Sequence, residues 1–589
     1  MRRTRRLAAV ALGAVAAMAL GACGGPSTGG SGGGTGGGGD TAKAEANAGI
    51  GGIANPSDAK GGTLRMANSS DWDSLDPADT YYAYAWNFAR LYGRSLVGFK
   101  AAPGKEGAEL VPDLAESLGT PNADATQWTY RLKPGIKFED GSVITSRDVK
   151  YAIARSLDKD TFPNGPTYFN DYLDLQGYEG PYKNPNLDAF TAVETPDDRT
   201  LVFKLRTAFA GFDYLAGLIN TIPVPQAADT GARYKEKVVS SGPYKFETNE
   251  LGKRFTMVRN PNWDASTDPI RKALPDRIEV AVNANADDVD NRLFSGDLDV
   301  AIEGTGVQPA AQGRVLADQA LKANSDNGLA GFTWFTVLDD SVAPLDNVHC
   351  RRAVLLAADR TGYQRAYGGA TGGDLATNLM GTNIPGAQQF DLYPSSGGTG
   401  DVAKAKDELN QCGQPNGFTT SISFRAERPK EKAAAEALQQ SLARAGIQLE
   451  IKPFPAGDYA KLYAGKPDYS VANKLGLKVY GWQADWPDGF GFLAQVVDRR
   501  VIKAGGGNTN LGIRIPELDA RIDQALGETD KAKRDAIWTG IDRTVMENAS
   551  VLPGVWAKGL LYRPPNLTNV FVTGAWGMYE YTALGTTRR

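Results

Sequence analysis

The chain has 589 residues, 42% hydrophobic and 22% charged, with a formal net charge of −4. That length exceeds what one hydrophobic core serves, so two or more lobes are expected. The first 22 residues hold four arginines and no acid, so the charge falls from −4 to −8 without them, which excludes electrostatic capture of DNA or RNA. His349 is the only histidine, which excludes most histidine-based metal sites and catalytic triads, and no GxxxxGK[ST] loop is present to bind a nucleotide.

Residues 1–22 read as a signal peptide. Arg2, Arg3, Arg5 and Arg6 form a basic start, and residues 7–20 form an apolar run too short to span a bilayer. Leu20-Gly21-Ala22-Cys23 resembles a bacterial lipobox, in which Cys23 becomes the lipidated (palmitate-bearing) first residue. The alternative is a plain signal peptide with an incidental cysteine. Thr4-Arg5-Arg6-Leu7 hints at twin-arginine export, and the export route stays open. Residues 24–39 contain 11 glycines and read as a flexible tether, continued to residue 59. No later run is apolar and long enough to cross a membrane. With Cys23 lipidated, Cys350 and Cys412 remain. In an exported protein an even pair favours a disulfide, the alternative being two buried thiols.

Folded sequence is expected from Lys60, with a strand through Leu64 and Met66, then the turn Asp73-Ser74-Leu75-Asp76-Pro77. Tyr84, Phe88, Leu91, Tyr92 and Leu96 recur at helical spacing over residues 81–96. Trp128, Tyr130 and Leu132 alternate as a strand, as do Ile136 and Phe138, with turns at Pro134-Gly135 and Asp140-Gly141. Thr145 or Ser146 caps the helix that follows. Residues 198–205 alternate again, and Ser241-Gly242-Pro243-Tyr244 and Arg259-Asn260-Pro261-Asn262-Trp263 read as turns.

Two later stretches suit a ligand. Ile422 and Phe424 mark a strand end, Pro429 fits the first turn of a helix, and Ala434, Leu438, Leu442 and Ala445 make one apolar stripe. Arg425 and Arg428 therefore sit at a strand's carboxyl end and a helix's N-terminus, where α/β sheets bind ligands. Their charge opposes the helix dipole unless an anion is captured there. The alternative is a solvated arginine paired with Glu427 or Glu431. Residues 481–493, GWQADWPDGFGFL, crowd Trp482, Trp486, Phe490 and Phe492 into a loop broken by Pro487, Gly489 and Gly491. They read either as cleft walls with Asp485 as a lone charge, or as plugs of a core.

The strand from Lys60, the DSLDP turn, and Leu132, Gly135, Phe138, Asp140, Gly141, Thr145, Asp148 and Val149 resemble the bacterial extracellular solute-binding proteins of family 5, the peptide- and nickel-type receptors of ABC importers. LFSGDLD at residues 293–299 and PLDNVHCRRAVLLAADR at residues 344–360 extend the resemblance. It implies an α/β, two-lobed periplasmic-binding-protein-like (type II) fold with a ligand cleft between lobes. Lobe I would comprise residues 60–330 with 556–589 returning to it, and lobe II residues 331–555. The crossings are expected near residues 331–337 and 551–557. The resemblance also implies that Arg428, of an Arg-Pro opening a helix, holds a peptide carboxylate. Asp485, of G-W-x-x-D, would hold the α-ammonium, and Trp482 would line the pocket; Trp486 and Arg425 are ligand-binding candidates from their own places in the loop and at the strand end. It implies no catalytic residue, no cofactor and no metal. The expected partners are a small solute, first a di- or oligopeptide, then an ABC permease with its ATPase subunits, on a monomer held outside the cell membrane by lipid. One departure is Asp488-Gly489 where the family often has Asp-Pro.

Rival readings are a non-peptide solute such as an oligosaccharide or metal chelate, a sensor or adhesin on the same fold, and a secreted hydrolase using Asp485 and Asp488. Pro487 and Gly489 oppose the last, because they deny the two acids a held geometry.

Overall fold

The computed structural model describes residues 44–70 and 72–588. The signal peptide, Cys23 and the glycine-rich residues 24–39 lie outside the described residues. The tether expectation needs correction at its other end. Asn47 donates to the Ser325 carbonyl (2.8 Å), Gly49 to Asp326 (2.9 Å), and Ala54 bridges to Val570. Ordered chain therefore begins well before Lys60, because residues 47–57 find backbone partners on the body.

In the N-terminal half, Thr63–Ala67 buries Leu64 and Met66 and lies parallel to Arg277–Ala281 and Val300–Ala301. Arg254–Arg259 and Tyr244–Glu250 complete a five-stranded sheet in antiparallel pairing. A second, four-stranded sheet contains Gln127–Arg131 against Thr200–Lys204, where Trp128 opposes Phe203 and Tyr130 opposes Leu201. Ile136 and Phe138 form no strand; Lys137 and Val143 make only an isolated bridge across the Asp140-Gly141 turn. Thr145 is the N-cap of the helix Ser146–Ser156, its N–H held by Asp148 at 2.8 Å. The helix expected over residues 81–96 is only Ala83–Ala89. Beyond it the Leu91 and Tyr92 carbonyls accept from Tyr244, Ser241 and Gly242, so the SGPY turn takes the groups a longer helix would use.

The C-terminal half is built on a six-stranded sheet in the order Gly373–Leu375, Val551–Tyr562, Ser325–Leu338, Leu477–Gln483, Thr419–Arg425, Gln448–Phe454. The two long strands pair antiparallel from Ser325 opposite Tyr562 to Val337 opposite Val551, with the register slipping between Leu329 and Thr333. Gly331 sits in that slip at φ 81°, a conformation a side chain resists. Pro429–Ala443 is the crossover helix between parallel strands, with Ala434, Leu438 and Leu442 fully buried against the sheet. Beneath it Cys350 and Cys412 are joined as a disulfide, with 5.3 Å between their Cα atoms. His349 Nδ1 lies within hydrogen-bond distance of Glu408 Oε2, 2.7 Å, at the surface of that cluster.

Several charges are buried together with their counter-charges. Arg94 and Arg271 share Asp113, both at 2.7 Å, and Arg271 also grips Asp268. Arg155 holds Asp76 at 2.7 Å and Asp229 at 3.0 Å. Lys478 Nζ holds Asp339 at 2.6 Å and also donates to two carbonyls, while Arg514 takes the other Asp339 oxygen at 2.8 Å. Burial pushes the Asp339 carboxyl up, but Lys478 and Arg514 together hold it below the usual range.

Candidate functional site

The site grows from the end of the strand Leu477–Gln483. Tyr480 and Trp482 alternate along it, while Gly481 opposes Trp334 on the neighbouring strand. A Cβ on Gly481 would lie 2.3 Å from the Trp334 ring, so the glycine of the G-W-x-x-D motif lets the indole lie flat on the sheet. The chain then leaves the sheet and places Asp485 at the inner end of a cavity of about 660 Å³ between the N- and C-terminal halves. Tyr81, Tyr82, Trp86 and Trp576 line it from one side; Phe332, Tyr480 and Trp482 line it from the other. Aromatic walls with few polar groups are the usual make-up of a small-molecule site.

Asp485 Oδ2 accepts from the Tyr81 hydroxyl at 3.0 Å and from the Tyr168 hydroxyl at a shorter distance. No cation pairs with it among the described residues. Burial pushes its pKa up to about 6, against the opposing pull of the two tyrosine hydroxyls. Tyr168 belongs to the short helix Tyr168–Tyr172. Both tyrosines come from the N-terminal half and meet an acid of the C-terminal half.

Arg428 and Arg425 also line the cavity, but in different states. Glu431, itself only 1% exposed, takes Arg425 Nε at 2.8 and 3.0 Å and its Nη2 closer still. The guanidinium is further caged by the Tyr480 ring at 5.2 Å. Arg425 is thus a neutralised wall, closer to the ion-pair alternative than to a free anion receptor, although it is buried rather than solvated. Arg428 is the N-cap residue of Pro429–Ala443, 46% exposed, and reaches Glu431 only at 3.6 Å. Burial and the neighbouring Arg425 push its pKa down, which marks a spot where an added anion is favourable.

The two tryptophans separate. Trp482 lines the cavity. Trp486 does not line it: it is 2% exposed, stacked on Phe490 at 5.7 Å and edge-on to Tyr168 at 4.8 Å. The reading of Trp486 as a ligand-wall residue is corrected, because the turn at Pro487 rolls it into the core under the loop. Asp488 is buried there too, accepting from the Phe490 N–H at 2.8 Å and facing Arg534 at 3.9 Å, away from the cavity. It cannot work with Asp485 as an acid–base pair on one solute.

Sequence reasoning missed Tyr81, Tyr168 and Glu303. Glu303 Oε1 accepts four hydrogen bonds, from the N–H and hydroxyl of both Ser69 and Ser70, at 2.7–3.0 Å. The signal available was positional: Ser69-Ser70 and Glu303 follow the parallel strands Thr63–Ala67 and Val300–Ala301 at their carboxyl ends. Among the described residues, no group of three or more histidine, cysteine or acidic side chains could hold a metal ion, and no helix is long and apolar enough to cross a membrane.

Two lobes of α/β structure with an aromatic cavity between them define the type II class of periplasmic binding protein. Within that class, residues 109–502 match the bacterial extracellular solute-binding proteins, family 5 Middle, and the chain belongs to this family. It superimposes with a TM-score of 0.89 on the solved structure of clavulanic acid biosynthesis oligopeptide binding protein 2, at 43% identity over 93% of this chain and 99% of that one. It is 26% identical over 495 residues to a probable D,D-dipeptide-binding periplasmic protein of Escherichia coli (strain K12), covering 83% of this chain and 87% of the relative. It is 25% identical over 505 residues to heme-binding protein A of Haemophilus influenzae, covering 82% and 85%. These relatives are binding proteins rather than enzymes, and their names span more than one solute class.

Proposed function

We propose that the chain is the substrate-binding lipoprotein of an ABC importer, capturing a short peptide between its lobes and passing it to a membrane permease driven by ATPase subunits. The observation that carries the reading is a cavity with an acid, Asp485, free of any cationic partner among the described residues, and a guanidinium, Arg428, only loosely paired. A zwitterionic peptide supplies both missing charges: its α-ammonium for Asp485 and its carboxylate for Arg428 at the helix N-terminus. Trp482 and Phe332 give side chains an apolar surface. The peptide names of two relatives support the same class.

Opening and closing would use the two long strands Ser325–Leu338 and Val551–Tyr562, which join the halves, with the slip at Gly331 as the compliant point. No bond is broken; a solute that binds better between closed lobes shifts the population toward them. Residues 60–330 with 556–589 would move against 331–555. Lipidation at Cys23 would hold the monomer outside the cell membrane.

Isothermal titration with Ala-Ala and Ala-Ala-Ala tests the site. Free peptides should bind, and N-acetylation or C-amidation should each weaken binding by about 30-fold or more, the loss of one charge-assisted contact. Equal affinity for capped and free peptides would remove the assignment. Detergent-phase partition of the expressed protein tests the anchor: wild type should enter the detergent phase and Cys23→Ser should not, and partition unaffected by the substitution would end that reading.

A further inference from the structure

The cavity contains one carboxylate more than a simple peptide needs. Its charged lining residues among those described are Asp485, Glu303, Arg425 and Arg428. Glu431 already neutralises Arg425, so two carboxylates face one guanidinium. A peptide with neutral side chains pairs Asp485 with its ammonium and Arg428 with its carboxylate. Glu303, half-buried at the cavity wall, would be left without a counter-charge.

Glu303 is also held in a way a solvated surface acid is not. Ser69 and Ser70 fix its Oε1 with four hydrogen bonds, two from backbone N–H groups. Glu303 Oε2 accepts nothing from the described residues, and no lysine or arginine among them lies within ion-pair reach. The carboxylate is locked at one oxygen and available at the other. It stands on the N-terminal half, while Asp485 and Arg428 stand on the C-terminal half, so a ligand touching all three spans the cleft.

We propose that Glu303 is a subsite for a cationic ligand side chain, and that the receptor prefers peptides carrying one lysine or arginine. This inference rests on the peptide reading of the same cavity. A guanidinium suits the site best, since it can donate to Oε2 while its plane lies on Tyr82 or Tyr84, which also line the cavity. The preference would add selectivity to the two main-chain contacts, which any zwitterionic peptide can make.

The test is calorimetry on the full-length protein with tripeptides of alanine carrying arginine, or its neutral isostere citrulline, at each position in turn. Ala-Ala-Ala is the reference and Glu303→Gln the variant, in which Oε1 can still accept from the serines. Wild type should bind the arginine peptide at least about tenfold more tightly than its citrulline counterpart at one position. Glu303→Gln should bring that ratio within about twofold. If citrulline and arginine peptides bind alike at every position, or if the preference survives in Glu303→Gln, the subsite is wrong and the peptide reading stands. If no member of the set binds wild type, the peptide reading falls and this inference falls with it.

Discussion

One strand carries two kinds of buried charge. Near the start of Leu477–Gln483, Lys478 is sealed among Asp339, Arg514 and two carbonyls. Two residues past its end, Asp485 meets only two tyrosine hydroxyls. Both groups are shielded from water, yet the first has its counter-charge inside the chain and the second has none among the described residues. The direction of the pKa displacement differs accordingly: Asp339 is held below the usual carboxylate value and Asp485 is pushed up to about 6. A charge that supports the fold is neutralised at home. On the reading proposed above, Asp485 is a charge left for a ligand to complete.

This contrast can be broken at its stable end first. Asp339→Ala strands Lys478 without a counter-charge, and should cost about 3–5 kcal/mol in urea denaturation. Asp485→Asn should do the reverse. It removes an acid whose ionisation opposes folding, so the denaturation midpoint at pH 7 should hold or rise, while peptide affinity falls by about 2–3 kcal/mol. A variant that loses both stability and binding would place Asp485 with the structural charges and dissolve the contrast.

The smallest effect is the pH dependence. The folded pKa of Asp485, about 6, is above its ordinary value near 3.8, so its ionisation costs stability as pH rises between those values. The proposed binding would have the opposite sign, because an ammonium would pair with the ionised acid. Affinity for a neutral tripeptide should be level near pH 7 and fall as pH drops through about 6, approaching tenfold per unit. A flat profile from pH 7 to pH 5 would mean that Asp485 does not meet the ammonium. In Asp485→Asn the profile should be flat over that range.

Much of the scaffold was legible from local pattern. The alternation at Trp128 and Tyr130, the cap at Thr145 and the Pro429 helix start are decided by neighbours within a few residues, and they appear where expected. Arg425 and Glu431 are only six residues apart, but their tight pairing depends on the turn between strand and helix. The two tryptophans of residues 481–493 look equivalent in the sequence; the direction in which the chain turns at Pro487 separates the wall from the plug. Tyr168 and Tyr81 lie 317 and 404 residues from Asp485, so nothing local links them to it. The same holds for Ser69 and Glu303, 234 residues apart. Asp485 was readable by itself; Glu303, and the partners of both acids, emerge only through the topology of the two halves.

The hydroxyls of Tyr81 and Tyr168 already occupy Asp485 from across the cleft. On the proposed reading, a solute's ammonium would therefore arrive as a competitor for an oxygen that has incumbents. What it gains is the difference between two satisfied arrangements. When it leaves, the tyrosines can resume their places with no exposed acid in between. Such a grip would work by substitution, and would suit a binding protein that releases its solute as readily as it takes hold.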